Sequence, residues 1–334
     1  MHTLSGFWHA AAALSGRLDL SDAAPPFSDR DLTRAGVRPD HRYRLRTERP
    51  TRSEEPFVRL CDAGYPPQLS PLPFAPAVLF YLGDRTLLNE PSVAIVGARK
   101  CTGRGRRMAE TIAGELTSSG LVTGSGLAYG IDHAAHFAAP SRTIAVLGQG
   151  IESALNGTKR GPLEAIVSAG GLILSEFLPL HPPFKWTFPL RNRVVSGISM
   201  GTVVVEASLR SGSLITARHS LDQGRELMVV PGHPLDRQSE GCNKLLVDGA
   251  TPVRGADDIL SALRVPSTIP ERAPPTCPEQ HQVVEALETG STADHVVTVT
   301  GLPVSVVNAH LYALELTGRL VRLPGDQWSI RSAP

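Results

Sequence analysis

Between residues 91 and 230 short apolar runs alternate with glycine-rich turns and amphipathic stretches. The runs are Val93–Val96, Leu121–Thr123, Thr143–Leu147, Leu172–Leu174, Thr202–Val205 and Leu227–Val230. Several are rich in valine and isoleucine without polar alternation, the pattern of strands buried on both faces of a parallel sheet. Helical periodicity fits between them, as in Gly105–Thr117 and Ser213–Gln223. Strand and helix in alternation predict an α/β domain built on a doubly wound, mostly parallel sheet.

The pattern breaks on both sides of this region. Residues 1–55 are rich in arginine and turn residues, with Pro25-Pro26 and Pro39 interrupting short helical stretches, and read as an N-terminal helical or partly ordered region. Five prolines between residues 265 and 279 mark a semi-rigid linker over 265–277. Beyond it, Pro278–Leu287, the surroundings of Ala293–Val299, and Val304–Leu316 read as three helices. Two strands, Leu320–Leu323 and Trp328–Ile330, follow around the turn residues Pro324-Gly325-Asp326, which makes 278–334 a small winged-helix-like domain. The main α/β domain then occupies 56–264.

A length of 334 residues suits this organisation, since single cores stop growing near 250–300 residues. The hydrophobic share of 41% excludes a disordered or collagen-like chain. No apolar run reaches the roughly 18–20 residues that span a bilayer, and Phe7–Leu14 is short and lacks a basic flank for a signal peptide. The four cysteines lie far apart without a CxxC pair, which fits a reduced, cytoplasmic protein and argues against a zinc knuckle. With 33 basic and 32 acidic residues the chain is nearly neutral, but the charge is uneven. Residues 61–270 carry a net +2 and residues 271–334 a net −3. Only four of the basic residues are lysine, and the arginine excess supplies the planar, forked donors that suit phosphate.

In an open parallel sheet ligands bind outside the carboxyl ends of the strands. The first core strand ends in Gly97-Ala98-Arg99-Lys100, followed by Arg104, Arg106 and Arg107; the second ends in Gly124-Ser125-Gly126-Leu127-Ala128-Tyr129-Gly130-Ile131-Asp132. Around the fifth lie Arg191-Asn192-Arg193 before it and Ser211-Gly212-Ser213 after it. Glycines, hydroxyls and arginines thus collect on one edge, where helix N-termini and arginine forks favour phosphate. Ser125, Gly126, Ser211 and Ser213 either donate to phosphate or cap the helices they precede. Arg191 and Arg193 either reach the crevice or pair with Glu206 and Glu176. Phe137, Phe184 and Trp186 are stacking candidates, with core or interface packing the alternative. Two narrower motifs fail: Gly124–Gly130 is GxGxxxG rather than the dinucleotide fingerprint, and Asp132-His133-Ala-Ala-His136 lacks a third metal ligand. No metal or cofactor is expected.

The ordered set Val93-Ala-Ile-Val-Gly-Ala-Arg99, Ser125-Gly-Leu-Ala-Tyr-Gly-Ile-Asp132, Phe188-Pro-Leu-Arg-Asn-Arg193, Ser211-Gly-Ser-Leu-Ile-Thr216 and Gly241-Cys-Asn243 resembles the DNA-processing protein A family (DprA, also called Smf). The likeness covers about residues 60–255, and the tail resembles the winged helix appended to many members. It implies a Rossmann-like domain and a recombination mediator that binds single-stranded DNA, protects it and loads the RecA recombinase during natural transformation. It further implies a homodimer, a cytoplasmic location, no cofactor and no catalytic activity. Where the family has a Tyr-Pro pair after the third core strand, this chain has Glu152-Ser-Ala-Leu-Asn-Gly-Thr-Lys159-Arg160. The basic contact there falls to Lys159 or Arg160. The expected nucleic-acid-binding set is therefore Arg99, Lys100, Arg104, Ser125, Gly126, Lys159, Arg160, Arg191, Asn192, Arg193, Ser211, Gly212 and Ser213. The competing reading is a Rossmann-like enzyme of nucleoside monophosphate hydrolase type, with Glu176 or Glu206 as its acid. The winged helix is net acidic and Val304–Leu316 holds no arginine or lysine, so it is expected to contact protein rather than duplex.

Overall fold

The structure, a computed structural model, describes residues 2–4, 51–53, 56–266, 278–316, 319–323, 325 and 327–330. The chain divides into two units, Met1–Ser267 and Thr268–Pro334. In the first unit β1 (His2–Leu4) and β2 (Thr51–Ser53) form an antiparallel pair. The helices expected elsewhere in 1–55, and the linker beyond Pro266, lie outside the described residues.

A nine-stranded sheet follows. Its strands in chain order are β3 (Phe57–Arg59), β4 (Val78–Gly83), β5 (Ser92–Val96), β6 (Val122–Ser125), β7 (Thr143–Leu147), β8 (Leu172–Ser175), β9 (Gly201–Val204), β10 (Glu226–Val229) and β11 (Thr251–Pro252). Interleaved with them are α1 (Gly103–Ser118), α2 (Ile131–Ala138), α3 (Ile151–Leu155), α4 (Arg160–Ser168), α5 (Thr187–Gly197), α6 (Ser213–Asp222), α7 (Glu240–Val247) and, after β11, α8 (Ala256–Ala262). The spatial order is β11-β10-β9-β5-β6-β7-β8-β4-β3. All neighbours from β11 to β8 are parallel, while β4 and β3 add an antiparallel edge. The chain winds outward from β5 to β8 and later returns to the other side of β5 as β9. That reversal is the switch point where an α/β sheet opens a crevice.

The core strands form where the sequence pattern demands. Val93, Ala94, Ile95, Val96, Ile144, Ala145 and Val146 are buried, as strands covered by helices on both faces require. Helix α1 buries Ala109, Ile112, Ala113 and Leu116, a stripe of helical period, and is capped by the Thr102 hydroxyl accepting from Gly105 N at 3.0 Å. The largest boundary difference is at β6, which continues through Gly124 and Ser125, because Gly124 pairs with both Ala94 and Ile144 and Ser125 pairs with Ala145; β5, β8, β9 and β10 differ by one residue at one end or both. Strands β3, β4 and β11 went unpredicted, and so did β1 and β2, which pair where residues 1–55 were expected to be helical or partly ordered.

In the second unit α9 (Pro278–Thr289), α10 (Ala293–Thr300) and α11 (Val304–Leu316) pack with the antiparallel hairpin β12 (Leu320–Leu323) and β13 (Gln327–Ile330). Val283, Leu287, Val296, Leu311, Leu320 and Trp328 belong to its core. Among the described residues no single helix is long and apolar enough to cross a membrane.

Beneath the sheet edge His136 is fully buried, its Nε2 accepting from Leu127 N (3.3 Å) and its Nδ1 2.7 Å from Thr143 Oγ1. An Nε2 that accepts leaves the proton on Nδ1, donated to Thr143. Burial, then the charges of Lys159, His133 and Arg191, push His136 down to about 3. The unfolded chain therefore takes up a proton below pH 6.5 that the native state refuses. The contribution to stability is complete above pH 6.5 and is lost as pH falls toward 3, at up to about 1.4 kcal/mol per pH unit. Urea midpoints measured from pH 7.5 to 5 should fall, and less steeply in His136→Gln.

Candidate nucleic-acid interface

A crevice of about 600 Å³ opens at the switch point between β5 and β9. Its walls are Gly97–Lys100 after β5, Gly126 and Ala128 after β6, Ser208 and Arg210–Ser213 after β9, and the face of α5 that carries Phe188, Arg191, Asn192 and Val195. Glu206 fixes the two central walls to one another. Its backbone carbonyl accepts from Ala98 N (2.6 Å), and its side-chain Oε2 accepts from Thr102 N (2.8 Å) at the start of α1. Gly130 lets the loop from β6 turn back against this edge: its φ is +82°, and a Cβ there would lie 2.2 Å from Ala98 O.

Five cations line the crevice, Arg99, Lys100, Lys185, Arg191 and Arg210, against one carboxylate, Asp132. Arg191 is buried beneath the floor, donating to Gly126 O (2.9 Å) and to Val146 O. Burial lowers its pKa to about 10, with Asp132 opposing the shift, so it stays charged at neutral pH. Asp132, also buried, accepts from Gly126 N at 3.1 Å and Ala128 N at 3.4 Å; burial raises its pKa and Arg191 holds it back. The pair shapes the glycine loop so that it approaches the crevice with its backbone. A Cβ on Gly126 would sit 2.5 Å from the Arg191 guanidinium. Ser211 and Ser213 hydroxyls lie 2.7 Å apart at the start of α6, beside Gly212. Exposed arginine forks over hydroxyls and a helix N-terminus can hold phosphate oxygens by charge-assisted hydrogen bonds.

The expected residues do not all gather here. Arg99, Lys100, Gly126, Arg191, Asn192, Ser211, Gly212 and Ser213 line the crevice. Ser125 does not; its hydroxyl is buried and donates to Ile95 O at 2.6 Å. Lys159 stands behind the glycine loop, donating to Leu127 O, and burial followed by the Arg191 charge lowers its pKa to about 8. Arg160 is exposed and bonds Glu164 one turn along α4 at 2.7 Å. Arg104 projects into solvent, 3.7 Å from Asp236.

Arg193 requires a correction: it faces away from the crevice and forms a buried ion pair with Glu176. The physical reason is helical geometry, since residues two apart on α5 point about 200° apart, so Arg191 and Arg193 cannot share one crevice. Sequence reasoning missed Lys185 and Arg210. Both carried a signal, Lys185 as one of four lysines just before Phe188 and Arg210 as the residue preceding Ser211.

Residues 56–264 match the family model of DNA recombination-mediator protein A, and residues 267–326 match that of the DprA winged helix domain. The DNA processing protein DprA of Streptococcus pneumoniae is 41% identical over 210 residues, 62% of this chain and 73% of the relative. Protein Smf of Escherichia coli is 36% identical over 298 residues, covering 84% of this chain and 79% of the relative. The crystal structure of the Streptococcus pneumoniae DprA superimposes with a TM-score of 0.59 at 33% identity, over 77% of this chain and 90% of that one. A structure of DNA processing protein A from Helicobacter pylori, described for its single-stranded DNA binding mode, gives a TM-score of 0.57 at 30% identity, over 64% and 98%. With family models matching both the α/β unit and the tail, and a relative 36% identical in an alignment that covers 84% of it, this chain belongs to the DNA recombination-mediator protein A (DprA/Smf) family.

Proposed function

We propose that this protein binds single-stranded DNA by its phosphates in the switch-point crevice, protects it, and delivers it to the RecA recombinase in the cytoplasm during natural transformation, acting as a homodimer. The observation that carries the reading is the convergence of five cations on a crevice with one buried carboxylate. The single-stranded DNA binding described for the Helicobacter pylori relative supports it. The competing hydrolase reading needs a carboxylate in the crevice at Glu176 or Glu206. Glu176 pairs with Arg193 in the interior, and Glu206 accepts from Thr102 N. Both are engaged in holding the fold.

A groove that works through phosphates is salt-sensitive, with log K falling about 0.7 per phosphate contacted for each tenfold rise in salt. Four contacts, from Arg99, Lys100, Lys185 and Arg210, give a slope of about −3. Fluorescence anisotropy with oligo-dT from low to moderate salt should show that slope. Affinity independent of salt would exclude the crevice as the binding site, and nucleotide turnover abolished in Glu206→Gln would favour the hydrolase.

A further inference from the structure

The segment between β8 and the first turn of α5 holds Phe177, His181, Phe184 and Trp186, in a chain with only 5% aromatic residues. Phe177 is buried and stacks on His181, with ring centroids 4.9 Å apart. His181 is itself anchored, its carbonyl accepting from Gly150 N at 2.9 Å just beyond β7. On this base Phe184 and Trp186 stand upright, at 80° and 85° to the His181 ring. They are parallel within 7°, with centroids 6.0 Å apart, and each is 46% exposed. The turn that presents them is fixed by the Thr187 hydroxyl, which accepts from Phe184 N (3.2 Å) and donates to Gly148 O at the end of β7. Lys185, between the two in sequence, lines the crevice, as do Phe188 and Pro189 further along.

We propose that Phe184 and Trp186 form a stacking platform for unpaired nucleobases of a strand whose phosphates run in the crevice. The proposal rests on the single-strand reading above and adds a second kind of contact to it. Rings that served only the core would be covered; these keep half their surface in solvent while their bases are locked by His181 and Thr187. Lys185, which lies between them in sequence and lines the crevice, gives the phosphate path continuity with the segment that carries the rings. Their spacing decides how a base fits. A base inserted between two rings needs roughly 6.8 Å, twice the rise of stacked bases, and 6.0 Å between centroids is too little. The base therefore lies on the outer face of the pair. Stacking on an aromatic face is tolerant of sequence, because every base has a π-face.

The test compares oligo-dT with an abasic tetrahydrofuran oligomer of equal length, by anisotropy on the full chain at fixed salt. Trp186→Ala and Phe184→Ala should each weaken oligo-dT binding by about fivefold or more and leave the abasic oligomer unaffected, while Trp186→Phe retains most of the affinity. Unchanged oligo-dT affinity, or equal loss for both oligomers, overturns the platform. Wild-type protein binding the two oligomers alike overturns the platform and leaves the phosphate reading standing. Wild-type protein binding neither overturns both. A variant whose sedimentation changes while its oligo-dT affinity does not assigns the rings to contact between copies and also overturns the platform.

Discussion

Glu176→Ala should lower the stability of the α/β unit by about 3–5 kcal/mol, because it leaves the Arg193 guanidinium charged and unpaired in the interior. The Glu176 side chain is 0% exposed and that of Arg193 9%, so water does not replace the lost partner. For a domain of this size each kcal/mol moves the melting temperature by about 2–4 °C, so the transition should fall by about 6–20 °C. The double replacement Glu176→Leu with Arg193→Met should recover most of the loss, since removing both charges removes the desolvation penalty along with the attraction. Below its melting temperature the double variant should keep wild-type affinity for oligo-dT. A large loss of affinity there would return Arg193 to the binding set. Differential scanning calorimetry and anisotropy together read both halves of the prediction.

The second large effect concerns Arg99→Ala. Arg99 lies directly after β5, is exposed, lines the crevice, and has no side-chain hydrogen bond or ion pair among the described residues. Its fork is available to a phosphate, and a hydrogen bond between charged groups contributes about 1.5–3 kcal/mol. Affinity for oligo-dT should therefore fall about ten- to a hundredfold, and the salt slope should become shallower by about 0.7. Arg104→Ala is the comparison. That side chain is 82% exposed and points toward Asp236, so its removal should change affinity by about twofold or less. Equal losses from the two substitutions would mean a diffuse positive surface rather than a crevice.

The parallel core was legible in the sequence because strands covered on both faces read as near-continuous apolar runs, and Val93–Val96 and Thr143–Leu147 are short, rich in valine and isoleucine, and followed by glycine turns. The edges were less legible. Phe57–Arg59 and Thr251–Pro252 are too short to carry a period, and Val78–Gly83 becomes a strand through its pairing with β8, a partner nearly a hundred residues away. The position of the crevice followed from the glycines and arginines at strand ends. The division of labour among the arginines did not. It depends on α5 beginning at Thr187, which sets Arg191 toward Gly126 and Arg193 toward Glu176. Ser125 was similarly ambiguous, since a hydroxyl at a strand end serves a ligand or the neighbouring strand, and here Ile95 O takes it.

Glu206 joins the walls on either side of the switch point through one backbone and one side-chain bond. These bonds tie the backbone after β5 to Glu206 after β9, so that part of the crevice is preorganised. If a strand binds there as proposed, less of the ordering cost falls on these two walls and more on the DNA. On that reading a preorganised groove favours an unpaired strand, whose backbone can bend to the spacing of the cations, over a stiff duplex.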